Sequence, residues 1–195
     1  MKILLDNGHG ENTAGKRSPD GILLEYKYTR EIAQEIENEL KKLGYDAERI
    51  VRETVDVPLA ERVRRVNEIC GKHGKSNVIL VSIHCNASGN GEWMKARGWS
   101  AYTSKGSTKS DELATSLYMA AEKNFAGQRI RKDYSDGDPD WEENFYILRK
   151  TKCAAVLTEN FFQDNKEDVS YLISLLGRKA IVRTHVEGII NFLEK

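Results

Sequence analysis

The chain has 195 residues, 39% of them hydrophobic and 31% charged, enough for one sizeable core and too poor in Gly and Pro for a collagen-like or disordered composition. Lys plus Arg and Asp plus Glu each total 30, so the basic excess that a nucleic-acid or anionic-membrane partner demands is missing, and neither partner is expected. No apolar run approaches the roughly 18 residues of a membrane span.

In chain order, residues 2–6 form a short apolar run that stops at Asn7-Gly8-His9-Gly10, the pattern of a buried strand entering a loop. After a polar, Gly-rich stretch, Leu24, Tyr28, Ile32, Ile36, Leu40 and Leu43 recur every three or four residues, which predicts an amphipathic helix ending at Gly44. Residues 46–51 read as a strand whose Glu48 and Arg49 place it at a sheet edge. Asp56 is expected to cap a second helix with Pro58 in its first turn and Leu59, Val63, Val66 and Cys70 as its buried stripe. Residues 77–84 carry Val78, Ile79, Leu80, Val81 and Ile83 without helical spacing, as a strand covered on both faces does.

Residues 99–103 read as a weaker strand and residues 111–125, with Leu113, Leu117, Ala120 and Ala121, as a helix. Residues 128–144 are polar; the acids Asp133, Asp136, Asp138 and Asp140 lack the spacing and glycine of an EF-hand, so a solvated loop is expected. Residues 145–148 and 154–159 supply two more predicted strands, and residues 166–193 a helical C-terminus with a break near Gly177. Strands alternating with helices predict a single α/β domain in three αβα layers, its twisted central sheet mainly parallel or mixed.

His9, His84 and Glu159 each lie at or just beyond the C-terminal end of an apolar strand, the edge where open α/β sheets bind ligands. Glu25 opens the first long helix after the His9 loop. Its carboxylate there is equally served by the helix dipole, so local pattern leaves its role open, although two imidazoles and one carboxylate form a known catalytic zinc set. His73, at a helix exit, and His185, within the last amphipathic helix, are expected to be structural.

These residues and their neighbours resemble the zinc-dependent N-acetylmuramoyl-L-alanine amidases of the amidase-3 family, in particular phage endolysin catalytic domains. Leu5-Asp6-Asn7-Gly8-His9-Gly10 is similar to the family's opening strand and first zinc histidine, and Leu24-Glu25 to its glutamate ligand. Pro58-Leu59 with Arg62 and Asn67 resembles its second helix, and residues 81–87 around His84 its second histidine. Residues 146–149 followed by 155–162 resemble its closing strands, with Glu159 as the catalytic glutamate. Asn7 stands where proline is usual, Glu11 where a second glycine is common, and Asn160 where a small residue often follows the glutamate.

The resemblance implies a zinc-exopeptidase-like fold, one zinc ion per chain held by His9, Glu25 and His84, and bacterial peptidoglycan as substrate. The metal would acidify water and polarise the amide carbonyl, and Glu159 would carry the proton to the departing alanine nitrogen. Asn86, two residues beyond His84, is a candidate substrate contact. A wall-binding module without activity and a zinc peptidase cutting ordinary peptide bonds remain open alternatives. Asp6 interrupts the first apolar run far short of a signal-peptide core, and Cys70, Cys85 and Cys153 have no paired spacing. The expectation is cytoplasmic synthesis with the thiols in the core, and action on the wall after membrane breach.

Overall fold

A computed structural model describes residues 1–195. The first apolar run forms β1 (Lys2–Asn7), and Leu5 lies opposite Val81 of the long central strand β3 (Val78–Asn86). Val81 in turn lies opposite Val156 of β6 (Ala154–Phe162), so three parallel strands rich in β-branched residues make the middle of the sheet. β2 (Asp46–Arg49) pairs with β1 at one edge, as its charges predict. On the other side β4 (Ser100–Thr103) runs antiparallel to β6 and carries the two-residue β5 (Trp141–Glu142), which gives the order β2-β1-β3-β6-β4-β5. The sheet is therefore mixed.

Alternation along the strands sorts the core into two faces. Ile3, Leu5, Ile79, Val81 and Ile83 pack under α1 (Glu25–Lys42), α3 (Lys109–Asn124), α5 (Lys166–Ile173) and α6 (Leu175–Leu193). Leu4, Val78, Leu80, Ala155 and Leu157 pack against α2 (Leu59–His73) and α4 (Tyr146–Lys150). The predicted three-layer αβα architecture is the one observed.

Several expectations are corrected. Residues 146–150 form the short helix α4 and not a strand: the adjacent Ile147 and Leu148 are both buried in the core beside α2, which alternating strand geometry would forbid. The break expected near Gly177 falls at Ser174, whose hydroxyl accepts the Gly177 N–H at 3.0 Å and starts α6 afresh. Gly177 is needed instead for close packing, since a Cβ there would stand 2.0 Å from the Tyr171 carbonyl oxygen.

Pro58, not Asp56, occupies the N-cap of α2, and Leu59 is 52% exposed while Arg62 turns inward beside Val63, Val66 and Cys70. The strand Trp141–Glu142 lies in the stretch expected to be loop. Cys70 and Cys85 are buried thiols; Cys153 is only half-buried at the margin.

His185 is structural, as expected, and fully buried. Its Nδ1 donates to the Ile181 carbonyl at 2.8 Å, and its Nε2 pairs with the Thr158 hydroxyl at 2.9 Å. Burial pushes its pKa down to about 4. The unfolded chain therefore binds the extra proton first, and about 3 kcal/mol of stability present above pH 6.5 is lost as the pH falls towards 4. Chemical denaturation across that window should show a slope in the native chain that His185→Gln reduces by one proton.

Candidate metal centre

His9 follows β1, and the loop that carries it turns sharply. His9 adopts φ 60°, in the left-handed region, between two glycines that are there for space. A Cβ on Gly8 would meet the His84 ring at 2.4 Å, and one on Gly10 the Asp56 backbone nitrogen at 1.9 Å. The loop is tied to the sheet by the Gly8 N–H, which donates to the Ile83 carbonyl at 3.0 Å, and to α1 by the Thr29 hydroxyl, which donates to the Gly8 carbonyl at 3.1 Å.

His84 and Glu159 are direct neighbours across β3 and β6. Beyond them β6 spends one extra residue, since Asn86 faces Phe162, and Phe161 takes φ 63° in the bulge. Asn160, inside the bulge, donates from Nδ2 to the His84 carbonyl at 3.0 Å and so fixes the strand that presents the imidazole.

Glu25 enters from the first turn of α1 and is fully buried. Its Oε1 accepts the Cys85 N–H at 3.0 Å, and its Oε2 accepts the Gln163 side-chain amide at 3.0 Å. The same Oε1 stands 3.5 Å from His9 Nε2 and 3.4 Å from His84 Nδ1, while the two imidazole rings meet edge-on with centroids 5.0 Å apart. These N···O separations are long for hydrogen bonds. They match the distance of about 3.3 Å between two ligand atoms that each sit 2.0–2.1 Å from a tetrahedral zinc. The donor set of two imidazole nitrogens and a carboxylate, gathered within 4.8 Å, fits that metal.

The electrostatics differ among the three side chains: burial works against a charged His84 ring, yet Glu25 and Glu159 leave its pKa raised. Burial holds the His9 imidazole down at about 4, so its ring is neutral and able to bind metal. Burial works against the charged form of Glu25, yet the neighbouring His84 and His9 rings, with the Cys85 N–H, leave its pKa below the usual carboxylate value. Glu159 is different: burial raises it to about 7, with His84 opposing and Glu25 adding to the rise, and its Oε2 has no hydrogen-bond partner.

A profile of the amidase-3 family, described as N-acetylmuramoyl-L-alanine amidase, matches residues 3–191. The chain belongs to that family. It is 27% identical to the endolysin of Bacillus phage SPP1 over 98% of this chain and 65% of that protein. It is also 27% identical to N-acetylmuramoyl-L-alanine amidase CwlM of Bacillus licheniformis, over 97% of this chain and 67% of the relative. The chain thus spans about two thirds of the length of these curated relatives. Among solved structures, the N-acetylmuramoyl-L-alanine amidase of Clostridium difficile 630 superposes with a TM-score of 0.82 at 26% identity, covering 100% of this chain and 97% of that one.

Of the residues singled out in sequence, the amidase fold brings His9, Glu25 and His84 into one cluster and sets Glu159 beside His84. Asn86 lies outside it, its Oδ1 accepting the N–H of Ala87 at 2.9 Å. Of two further residues, one had no signal in the sequence and the other, Arg62, was marked only as part of the second-helix resemblance. Gln163 orients Glu25 from beyond the β6 bulge. Arg62, the inward residue of α2, donates at 2.6 Å to both Asp6 Oδ1 and the Asn7 carbonyl, and at 3.2 Å to the His9 carbonyl. Its pattern cue was a charged residue on the stripe that Val63 and Val66 bury.

Proposed function

We propose that this chain hydrolyses the amide between N-acetylmuramic acid and L-alanine in bacterial peptidoglycan, with one zinc held by His9, Glu25 and His84 and with Glu159 as the proton carrier. The observation that carries this reading is the spacing of 3.4 and 3.5 Å from Glu25 Oε1 to the two imidazole nitrogens, beside a carboxyl of different character. When bound, zinc supplies a Lewis acid that polarises the scissile carbonyl and makes water acidic near neutral pH.

Glu25, its charge shared between the Cys85 N–H and Gln163, holds the two rings in one orientation and contributes the anionic ligand. Glu159 supplies the acid–base function. A carboxyl near 7 gives up and regains a proton at neutral pH, and a cation on the adjacent His84 favours its ionised, proton-accepting form. It takes one proton from the attacking water and delivers it to the alanine nitrogen as the carbon–nitrogen bond breaks. The products are a carboxylate on the sugar and a free amine on the peptide. Asn86, whose Nδ2 makes no hydrogen bond within the chain, is the proposed rim contact for substrate.

No helix is long and apolar enough to cross a membrane. The relative named endolysin supports action on the wall after the membrane is breached. Mass spectrometry of peptidoglycan digested by the purified protein tests the reaction. New alanine amino groups without new reducing sugar ends are expected. New reducing ends would make it a glycosidase, cuts only within the stem peptide a peptidase, and binding without products an inert wall module. Metal analysis should find one zinc per chain, and His84→Ala should lose most of it. Full zinc in that variant would remove His84 from the ligand set.

A further inference from the structure

The acids of residues 133–140 fit no linear calcium loop, but the fold adds a carboxylate that the sequence places elsewhere. Asp111, in the first turn of α3, meets Asp138 and Asp140, and their carboxylate oxygens lie within 4.8 Å of one another. The cluster is built around the end of β4: Asp140 Oδ2 accepts the Thr103 hydroxyl at 2.6 Å. Because Ser100 pairs with Glu159 and β4 runs away from it, Thr103 lies away from the His9–Glu25–His84 centre.

Asp140 is 2% exposed, and its second oxygen, Oδ1, is buried without any hydrogen-bond donor. Its carboxyl lies against that of Asp138. Asp111 has one oxygen engaged with the Thr108 N–H in a capping box, and its carboxylate also lies against the Thr103 hydroxyl at the end of β4. No lysine, arginine or histidine makes a salt bridge with Asp111, Asp138 or Asp140. Carboxylates gathered in this way need either a shared proton or a cation.

We propose that Asp111, Asp138 and Asp140 bind a calcium ion that fastens the connection 125–140 to the first turn of α3. The donors are all oxygens, which suits a hard cation and not zinc, and two of the three come from a loop of irregular geometry, which suits calcium better than the octahedral demand of magnesium. Buried Asp140 Oδ1 is the oxygen for which the chain itself supplies no partner. Without the ion, burial and the Asp138 carboxyl raise Asp140 to about 8, so a proton takes the cation's place.

Terbium(III) is the probe, because Trp141, the residue after Asp140, is placed to sensitise its emission. The zinc-loaded full chain, excited at tryptophan, should give saturable terbium emission that calcium displaces. At calcium about 100 times its dissociation constant the melting temperature should rise by roughly 5–10 °C. Asp140→Asn and the half-buried Asp138→Asn should each lose both signals, whereas His84→Ala should keep them. Absence of saturable emission and of a calcium-dependent shift in the native chain would overturn the proposal, with Asp140→Asn then as stable as the native chain through an amide donated to Asp138. Emission that survives both Asp→Asn variants would overturn it as well.

Discussion

Glu159→Gln is expected to lower peptidoglycan turnover by on the order of 10² to 10⁴ while leaving zinc content and fold in place. Glutamine is nearly isosteric, and Glu159 lies outside the cluster of His9, Glu25 and His84, so no ligand is removed. The amide cannot accept a proton. It also abolishes the acid that, raised to about 7 by burial, would return the proton to the leaving nitrogen. The measurement is release of alanine amino groups from purified walls, with metal content and wall binding in parallel. Near-normal turnover would move the general base to another residue, and loss of zinc would make Glu159 a ligand.

That separation of roles was legible in part from sequence. His9, His84 and Glu159 announced themselves because each follows a run of strand-forming residues, and strand ends point at one sheet edge. Glu25 did not, since a carboxylate in a first helical turn has an adequate local reason to be there. The family resemblance singled it out, and its oxygen's distance from both imidazoles is what supports the proposed metal role. Local pattern also failed at α4, where Tyr146, Ile147 and Leu148 have strand-like character but a core beside α2 takes two consecutive side chains. Gln163 and Asp111 were silent for a more general reason. What each does is defined by a partner far away in sequence, Glu25 in one case and Asp140 in the other.

Arg62 shows the same limit, and its removal should have the second large effect. The guanidinium is 2% exposed and donates to the Val57, Asn7 and His9 carbonyls, to Asp6 Oδ1 at 2.6 Å and to Asp56 Oδ1 at 2.9 Å. Arg62→Met keeps much of the apolar stem but strands Asp6, itself buried, with only the Ser82 hydroxyl at 2.6 Å. Breaking a buried ion pair from one side costs about 3–5 kcal/mol, which for a chain of this size lowers the melting temperature by roughly 6–20 °C. Asp6→Asn combined with Arg62→Met should recover part of that loss, because no charge is then left buried alone.

The second readout is zinc affinity. The His9 loop is held in a left-handed conformation partly by the bonds from Arg62 to the Asn7 and His9 carbonyls, so without them the imidazole samples more positions and affinity should fall about 10- to 100-fold. The double variant should regain stability without regaining affinity, since Asp6→Asn restores neutrality but not the clamp on the loop. Competition against a chromogenic chelator, run well below the variants' melting temperatures, separates the two effects. Unchanged affinity in folded Arg62→Met would show that Arg62 serves stability alone and that Gly8, Gly10 and Thr29 suffice to place His9.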